Sequence, residues 1–236
     1  MKYRAPLVLD IHTHSIMSGH AYGTIREMAQ AAAEKGLRLL GISEHGPMTP
    51  GAPDPIYFSN LKAAPREKYG VELRYGCELN VLNGGKLDME RWLERLDYVI
   101  AGIHTLCYED EGAAGNTDNV IACMKHPLVR FISHPDDDAT PLDYDRLVPA
   151  AKEYGVALEV NSSSFRKPER NAAANYRKML ALCAEHKVPI LVSSDAHDPD
   201  HVGWFDHAEA FLAEVDFPEE LVLNTDPEKL KAFLGA

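Results

Sequence analysis

The sequence predicts an α/β fold built from seven β-α steps around a mainly parallel sheet. Three observations predict it: near-continuous apolar runs recur along the 236 residues, helical patterns with recognisable ends separate them, and histidine or carboxylate residues stand just after the runs. Runs with so little polar alternation suit strands covered on both faces, and β-α alternation gives either an open doubly wound sheet or a closed barrel. No G-x-G-x-x-G motif and no P-loop motif follows a strand, which weakens the nucleotide-binding version.

The first run, "LVLDI" (7–11), leads straight into "DIHTHS" (10–15). Side chains at i and i+2 of a strand point to the same side, so His12 and His14 can grip one ion together. His20 lies a few residues into the following loop. Thr24 can cap the next helix, Glu27 completes a capping box, and Gly36 stands where a left-handed residue ends the helix. The second run, "LLGIS" (39–43), ends at His45 in "ISEHG", and "GPMTPGAPDP" (46–55) reads as a long loop. "LRYGCEL" (73–79) carries Glu78, "YVIAGI" (98–103) ends at His104, and "VRFIS" (129–133) ends at His134. A helix runs from about Asp143 to Tyr154 before Gly155, and the sixth run, "ALEV" (157–160), brings no metal-type ligand. A long helix from about Asn171 to Glu185 precedes "PILVSS" (189–194), which runs into Asp195 and His197. The last helix starts at Asp226-Pro227, cap then first-turn proline, and ends before Gly235. No repeat, low-complexity segment or flexible linker divides the chain, so residues 1–236 read as one domain.

The totals exclude several classes of function. A formal charge of −12 argues against a nucleic-acid surface, because phosphate backbones need clustered Lys and Arg. With 45% hydrophobic and 25% charged residues and no long apolar stretch, no bilayer span is expected. Lys2 and Arg4 precede only a short apolar run, so no secretory signal is read and the expected location is the cytoplasm. Cys77, Cys107, Cys123 and Cys183 form no C-x-x-C pair and are expected to be buried free thiols.

Taken singly, each polar candidate has a bland reading. A lone H-x-H is weak, His104 or His134 alone would be a satisfied histidine, Glu78 a capped carboxylate, and Asp195 a turn residue. The conjunction changes this, since seven of the eleven histidines fall at or just beyond an inferred strand end. His126, His186, His201 and His207 do not, and are read as surface or helix histidines. Histidine with carboxylate suits Zn²⁺, Mn²⁺ or Fe²⁺ better than Ca²⁺ or Mg²⁺. Nine candidate ligands are too many for one ion, and catalytic metals keep a position open.

The blocks "DIHTHS", "ISEHGP", "FISHP" and "SSDAH", with Glu78 and His104 in the intervals between them, make the chain resemble the PHP (polymerase and histidinol phosphatase) superfamily. Its length and its ending look most like the small stand-alone bacterial phosphatases of the YcdX type. The resemblance implies a distorted (β/α)7 TIM-like barrel holding three divalent ions, zinc first and manganese or iron next. Carried over by position, it implies one ion on His12, His14, Glu78 and Asp195. A second would sit on His20, His45 and His197, and a third on Glu78, His104 and His134. The loop 46–60 and "PDDDATP" (135–141) do not match closely, which leaves substrate choice open.

Three divalent ions offset by Glu78 and Asp195 leave about +4 in a pocket of neutral imidazoles, and that local field draws a phosphate ester although the whole chain is acidic. A metal-bound hydroxide would be the nucleophile. The expected activity is therefore phosphomonoester hydrolysis of a small phosphorylated substrate, with Glu78, Asp195 and His197 at the reacting centre. A histidinol-phosphate phosphatase or a phosphodiesterase on nucleotide-like substrates is the alternative, and a non-catalytic metal-binding module the third reading. Arg166 and Lys167 in "NSSSFRK" are candidate phosphate contacts, followed by Asn161 and Arg177. Glu44 faces away from His45 if the strand continues.

Overall fold

In the computed structural model of the chain, which describes residues 3–235, seven strands run parallel and in chain order. They are β1 (Leu9–Asp10), β2 (Leu39–His45), β4 (Val71–Leu82), β6 (Tyr98–Gly102), β7 (Val129–Ile132), β8 (Ala157–Asn161) and β9 (Ile190–Ser193). Two short strands, β3 (Glu67–Lys68) and β5 (Lys86–Leu87), pair antiparallel with β4. The ends of the sheet meet, though not by a full ladder. Thr13 bridges Ala196 near the top, and the His14 amide donates to the Ala196 carbonyl at 2.8 Å. Lower down, Asn224 fills the seam: its Nδ2 donates to the carbonyls of Leu9 (2.9 Å) and Val192 (2.7 Å), and its Oδ1 accepts from the Val192 amide (2.7 Å). A side-chain amide thus replaces a stretch of strand. The expected distorted seven-stranded barrel is the observed fold.

Alternate strand residues divide the core in two, as the pleat requires. Leu9, Ile11, Leu39, Tyr98, Ile100, Phe131, Ala157 and Leu191 pack inward as an apolar plug, with Leu223 and Leu230 closing it. Their neighbours Leu40, Val99, Ile132, Leu158 and Val192 pack outward in a second cluster with buried residues of the helices. Tyr98 crosses the interior and donates to the Ile11 carbonyl at 2.7 Å. It needs glycine on the two neighbouring strands its ring passes over, β4 and β2: a Cβ at Gly76 would lie 2.3 Å from its ring, and one at Gly41 would lie 2.2 Å from its hydroxyl. Above this plug the inward positions turn polar, with Glu78, Glu159 and Ser193 on the same alternation.

The helix ends follow their chemistry. Thr24 and Glu27 form the capping box of α1 (Ile25–Glu34), and Gly36, at φ +76°, closes it with the Leu37 amide reaching back to Ala32. Helices α4 (Tyr144–Tyr154), α5 (Ala172–His186) and α7 (Pro227–Leu234) stand where their caps and patterns predict. Three helices had no such signal: α2 (Ile56–Ser59), α3 (Gly112–Met124) and α6 (Asp206–Glu214). The α3 segment carries two Gly and two Asn and lacks a capping side chain, so its local propensity is poor. Side-chain bonds to the loop just before it hold it instead, as Asn119 donates to Tyr108 and Glu111 while Asn116 accepts from the Tyr108 hydroxyl. β1 is shorter than its apolar run, while β2 and β4 extend past theirs to carry His45 and Asn80. Cys77, Cys123 and Cys183 are buried free thiols, whereas Cys107, expected to be buried, is only half-buried in a loop. No helix among the described residues is long and apolar enough to cross a membrane.

Asn224→Ala should lower the free energy of unfolding by about 2–4 kcal/mol, since it strands one buried amide and two buried carbonyls. Asn224→Asp should do no better, because a carboxylate cannot donate to the two carbonyls. Urea denaturation of both variants beside the wild type reads this directly.

Candidate metal centre

The strand tops bring all nine expected ligands together, and Glu78 lies at the middle. It stands opposite His45 in the β2–β4 register, is 1% exposed, and is approached by five imidazoles. Oε2 faces His12 Nε2 at 3.1 Å, His14 Nε2 at 3.6 Å and His45 Nδ1 at 3.0 Å. Oε1 faces His134 Nε2 at 3.0 Å and His104 Nε2 at 3.3 Å. Gly102 keeps this space open, since a Cβ there would fall 2.0 Å from Ser133 Oγ and 3.4 Å from Glu78 Oε1.

Asp195 closes one side, with Oδ1 at 3.3 Å from His14 Nε2 and 3.6 Å from His12 Nε2. On the other side the Nε2 atoms of His20, His45 and His197 form a triangle with edges of 3.2, 3.3 and 3.2 Å. Two site residues hold left-handed backbone, Asp195 at φ +54° and His134 at φ +29°, a conformation that non-glycine residues rarely adopt. The surroundings hold them there: Asn161 Nδ2 donates to Asp195 Oδ2 at 3.1 Å, and the His134 amide donates to Glu159 at 2.6 Å.

Two carboxylates and three imidazoles of the cluster are held in the form that metal ligation requires, ionised for the acids and neutral for the rings. Burial would push Glu78 and Asp195 up, but His12 and its neighbouring histidines hold both well below the usual carboxylate range. Burial holds His14, His20 and His45 below the ordinary imidazole range, and nearby histidines add to this effect. His12 and His104 go the other way. Burial disfavours their charge, but the carboxylates around His12, and Glu78 beside His104, outweigh it.

These residues fit a cation. The Nε2 atoms of His12 and His14 and Nδ1 of His45 are buried with no hydrogen-bond partner, although buried polar groups are normally satisfied. Ligands on a tetrahedral zinc lie about 3.3–3.4 Å apart for bonds of about 2.0–2.1 Å, close to the edges of the His20–His45–His197 triangle. Donor atoms within 4.8 Å of one another also group as His12–His14–Asp195, His45–Glu78–His104 and His14–His45–His197. His45 therefore reaches two groups, one with each ring nitrogen, where the sequence suggested only one.

The outer nitrogens are fixed by residues the sequence reading overlooked or left open. His12 Nδ1 lies 2.5 Å from Glu159, on the one strand thought to bring nothing. His104 Nδ1 lies 2.7 Å from Asn80 Oδ1, and Asn80 donates in turn to Asp88 at 2.6 Å. His14 Nδ1 lies 3.2 Å from Ser18 Oγ, which donates to Glu44 at 2.6 Å, so Glu44 braces the loop carrying His14 and His20. The alternation of Ala157, Glu159 and Asn161 on the inward face of β8 was the available signal for Glu159.

The expected substrate contacts are placed less centrally. Asn161 is fully buried, and its amide is engaged by Asp195 and Ser163. Arg166 is exposed above β8 with its guanidinium 4.0 Å from the Trp204 ring centre, and Lys167 beside it is half-buried. The structure does not bring Arg177 into the cluster: it pairs with Glu214 at 2.5 Å and lies over Phe211, both on α6. Of the histidines set aside, His186 and His207 are exposed on helices, His126 is half-buried, and His201 stacks on Trp204.

The PHP domain family model matches residues 10–216. A chain described as "probable phosphatase" from Clostridium novyi (strain NT) is 41% identical over 236 residues, covering 99% of this chain and 95% of that one. Another so described, from Caldanaerobacter subterraneus subsp. tengcongensis, is 44% identical over 237 residues, covering 99% and 92%. Among solved structures, histidinol phosphate phosphatase from Lactococcus lactis, complexed with zinc, L-histidinol and phosphate, superposes with a TM-score of 0.64 at 17% identity. It covers 90% of this chain and 95% of that one, a likeness of fold.

Zinc at about a thousand times its dissociation constant should stabilise the fold by about 4 kcal/mol, or about 10 °C in Tm at this size. Thermal melts before and after chelation should show that shift, and Glu78→Gln should lose most of it.

Proposed function

The chain belongs to the PHP domain family and is a phosphatase, and from that premise we propose a metal-dependent phosphomonoesterase with three divalent ions, zinc first and manganese or iron next. The observation that carries the number three is the division of donor atoms around Glu78. His12, His14, Asp195 and Glu78 Oε2 make one group, His104, His134 and Glu78 Oε1 a second, and the Nε2 triangle of His20, His45 and His197 a third. His45 Nδ1 also faces Glu78 Oε2 at 3.0 Å, which ties the third group to the first. We also read residues 1–236 as one phosphoesterase domain. The family match stops at 216, but Asn224 and Leu230 belong to the barrel.

Bound divalent ions would activate a water as nucleophile and offset the charge of the phosphoryl oxygens. The chain's own residues do the rest. Glu78 and Asp195 stay ionised and hold the imidazoles inward, and Asn161 fixes Asp195 through its second oxygen. Asn161 thus serves the substrate indirectly. Arg166 and Lys167 follow β8 directly, and in this reading they meet the anionic or organic part of a small phosphorylated substrate. Arg177 is left out because Glu214 already neutralises it. A net charge of −12 argues against nucleic acid as the substrate.

Elemental analysis should find about three metal equivalents per chain, falling toward two in His20→Ala. Chelation should cut hydrolysis of a simple phosphomonoester by at least about 10³-fold, with recovery on adding Zn²⁺ or Mn²⁺. A panel of small monoesters, histidinol phosphate, a diester and an oligonucleotide separates the readings. Strong preference for the diester would overturn the monoesterase, and hydrolysis indifferent to chelation would overturn metal dependence.

A further inference from the structure

We propose that Glu159 is the positioning residue that sets the proton of His12, keeping it on Nδ1 so that Nε2 presents a lone pair to the cation; this rests on the metal-centre reading above. Glu159 is fully buried on β8, and the three groups it meets besides His12 all donate to it. Oε1 takes His12 Nδ1 at 2.5 Å and Ser193 Oγ at 2.6 Å. Oε2 takes the His134 backbone amide at 2.6 Å and Asn161 Nδ2 at 3.4 Å. One carboxylate therefore joins the segments carrying His12, His134 and, through Ser193, Asp195. Only an acceptor at both oxygens satisfies all four.

The donors differ in their freedom to adapt, and this makes the role testable. The His134 amide cannot become an acceptor. The Asn161 amide is oriented by Ser163, whose backbone N–H and hydroxyl both donate to its Oδ1 at 2.9 and 2.8 Å, so its NH₂ is fixed on the Glu159 side. In Glu159→Gln the new carbonyl must therefore face His134 and Asn161, and the new NH₂ must face Ser193 and His12. Ser193 can rotate and accept. A neutral His12 can accept at Nδ1 only by moving its proton to Nε2, the buried nitrogen that faces Glu78 at 3.1 Å and Asp195 at 3.6 Å. The imidazole keeps its place and loses the lone pair that a cation needs.

Metal content and affinity of purified protein, measured by elemental analysis and chelator competition with Zn²⁺, provide the test independently of turnover. Partners of this kind are worth about 10–100-fold in metal affinity. We expect Glu159→Gln to lose about one equivalent or to weaken one site by about 100-fold, the upper end of that range. Glu159→Ala, which frees His12 without imposing the wrong proton, should bind as well as Gln or better, and Ser193→Ala should stay near wild type. A carboxylate that merely fills space would give the reverse order, with Gln near wild type and Ala worst, and that order overturns the proposal. Should Glu159→Gln not fold, ¹⁵N NMR of the zinc-loaded wild type decides it: His12 must show a protonated Nδ1 and a coordinated Nε2, and the opposite pattern overturns the assignment. If wild-type protein binds no metal at all, the metal-centre reading fails first, and separately.

Discussion

Five imidazoles converge on the single buried carboxylate of Glu78, and the rest of the molecule is arranged around the difficulty of keeping them there. Ring nitrogens 3.2–3.3 Å apart cannot all be satisfied by one another, because a neutral imidazole has one donor and one acceptor. Inward-facing lone pairs repel unless a positive charge lies between them, so such a cluster is a site for cations before it is a site for anything else. Cations then create the field that holds a phosphate ester. That order of dependence explains how an acidic chain serves an anionic substrate: field strength within a Debye length, about 8 Å, outweighs net charge farther away.

The barrel makes the crowding possible by separating its interior into two tiers. Below, Tyr98 lies over Gly76 and Gly41 on the neighbouring strands, and Leu223 and Leu230 close the base. Above, the same inward positions become polar. The period of two that places Leu191 inside also places Ser193 inside, and Ala157 is followed in the same way by Glu159 and Asn161. A one-residue slip of β8 would turn Glu159 outward and leave His12 Nδ1 and the His134 amide without their acceptor. The apolar plug therefore sets the register on which the polar tier depends.

Much of this was legible in the sequence, for a physical reason. Polar residues at strand ends are tied to apolar runs, and apolar runs are easy to see, so nine candidate residues could be named, and the structure gathers them around Glu78 and the imidazoles beside it. The capping box at Thr24 and Glu27 was equally plain, because it is written in adjacent residues. What escaped depends on contacts distant along the chain. Helix α3 has poor local propensity and is tied to the segment before α4, where Asn116 donates to the Pro141 carbonyl and Thr117 accepts from the Asp143 amide. Asn224 looks like any loop asparagine until β1 and β9 stand on either side of it. Arg177 carried a suitable charge, but only the position of α6 shows that Glu214 takes it. Glu159 was overlooked because a buried acid within an apolar strand resembles a ligand only once its partner, 147 residues earlier, is in place.

The supporting residues also show how a crowded centre can keep its ligands distinct. Four outer nitrogens have four different partners: a carboxylate for His12, a serine backed by Glu44 for His14, an amide backed by Asp88 for His104, and the Asp195 carbonyl for His197. A carboxylate makes an imidazole a stronger donor to metal than an amide or a hydroxyl does. Rings that look alike in sequence thus differ in basicity according to what stands behind them. The differences follow the barrel, because β8 supplies the acid, β4 the amide and the loop after β1 the hydroxyl. In the metal-centre reading proposed above, ligand strength would therefore be graded around the ring by the strands themselves, with His12, 2.5 Å from the Glu159 carboxylate, at the strong end.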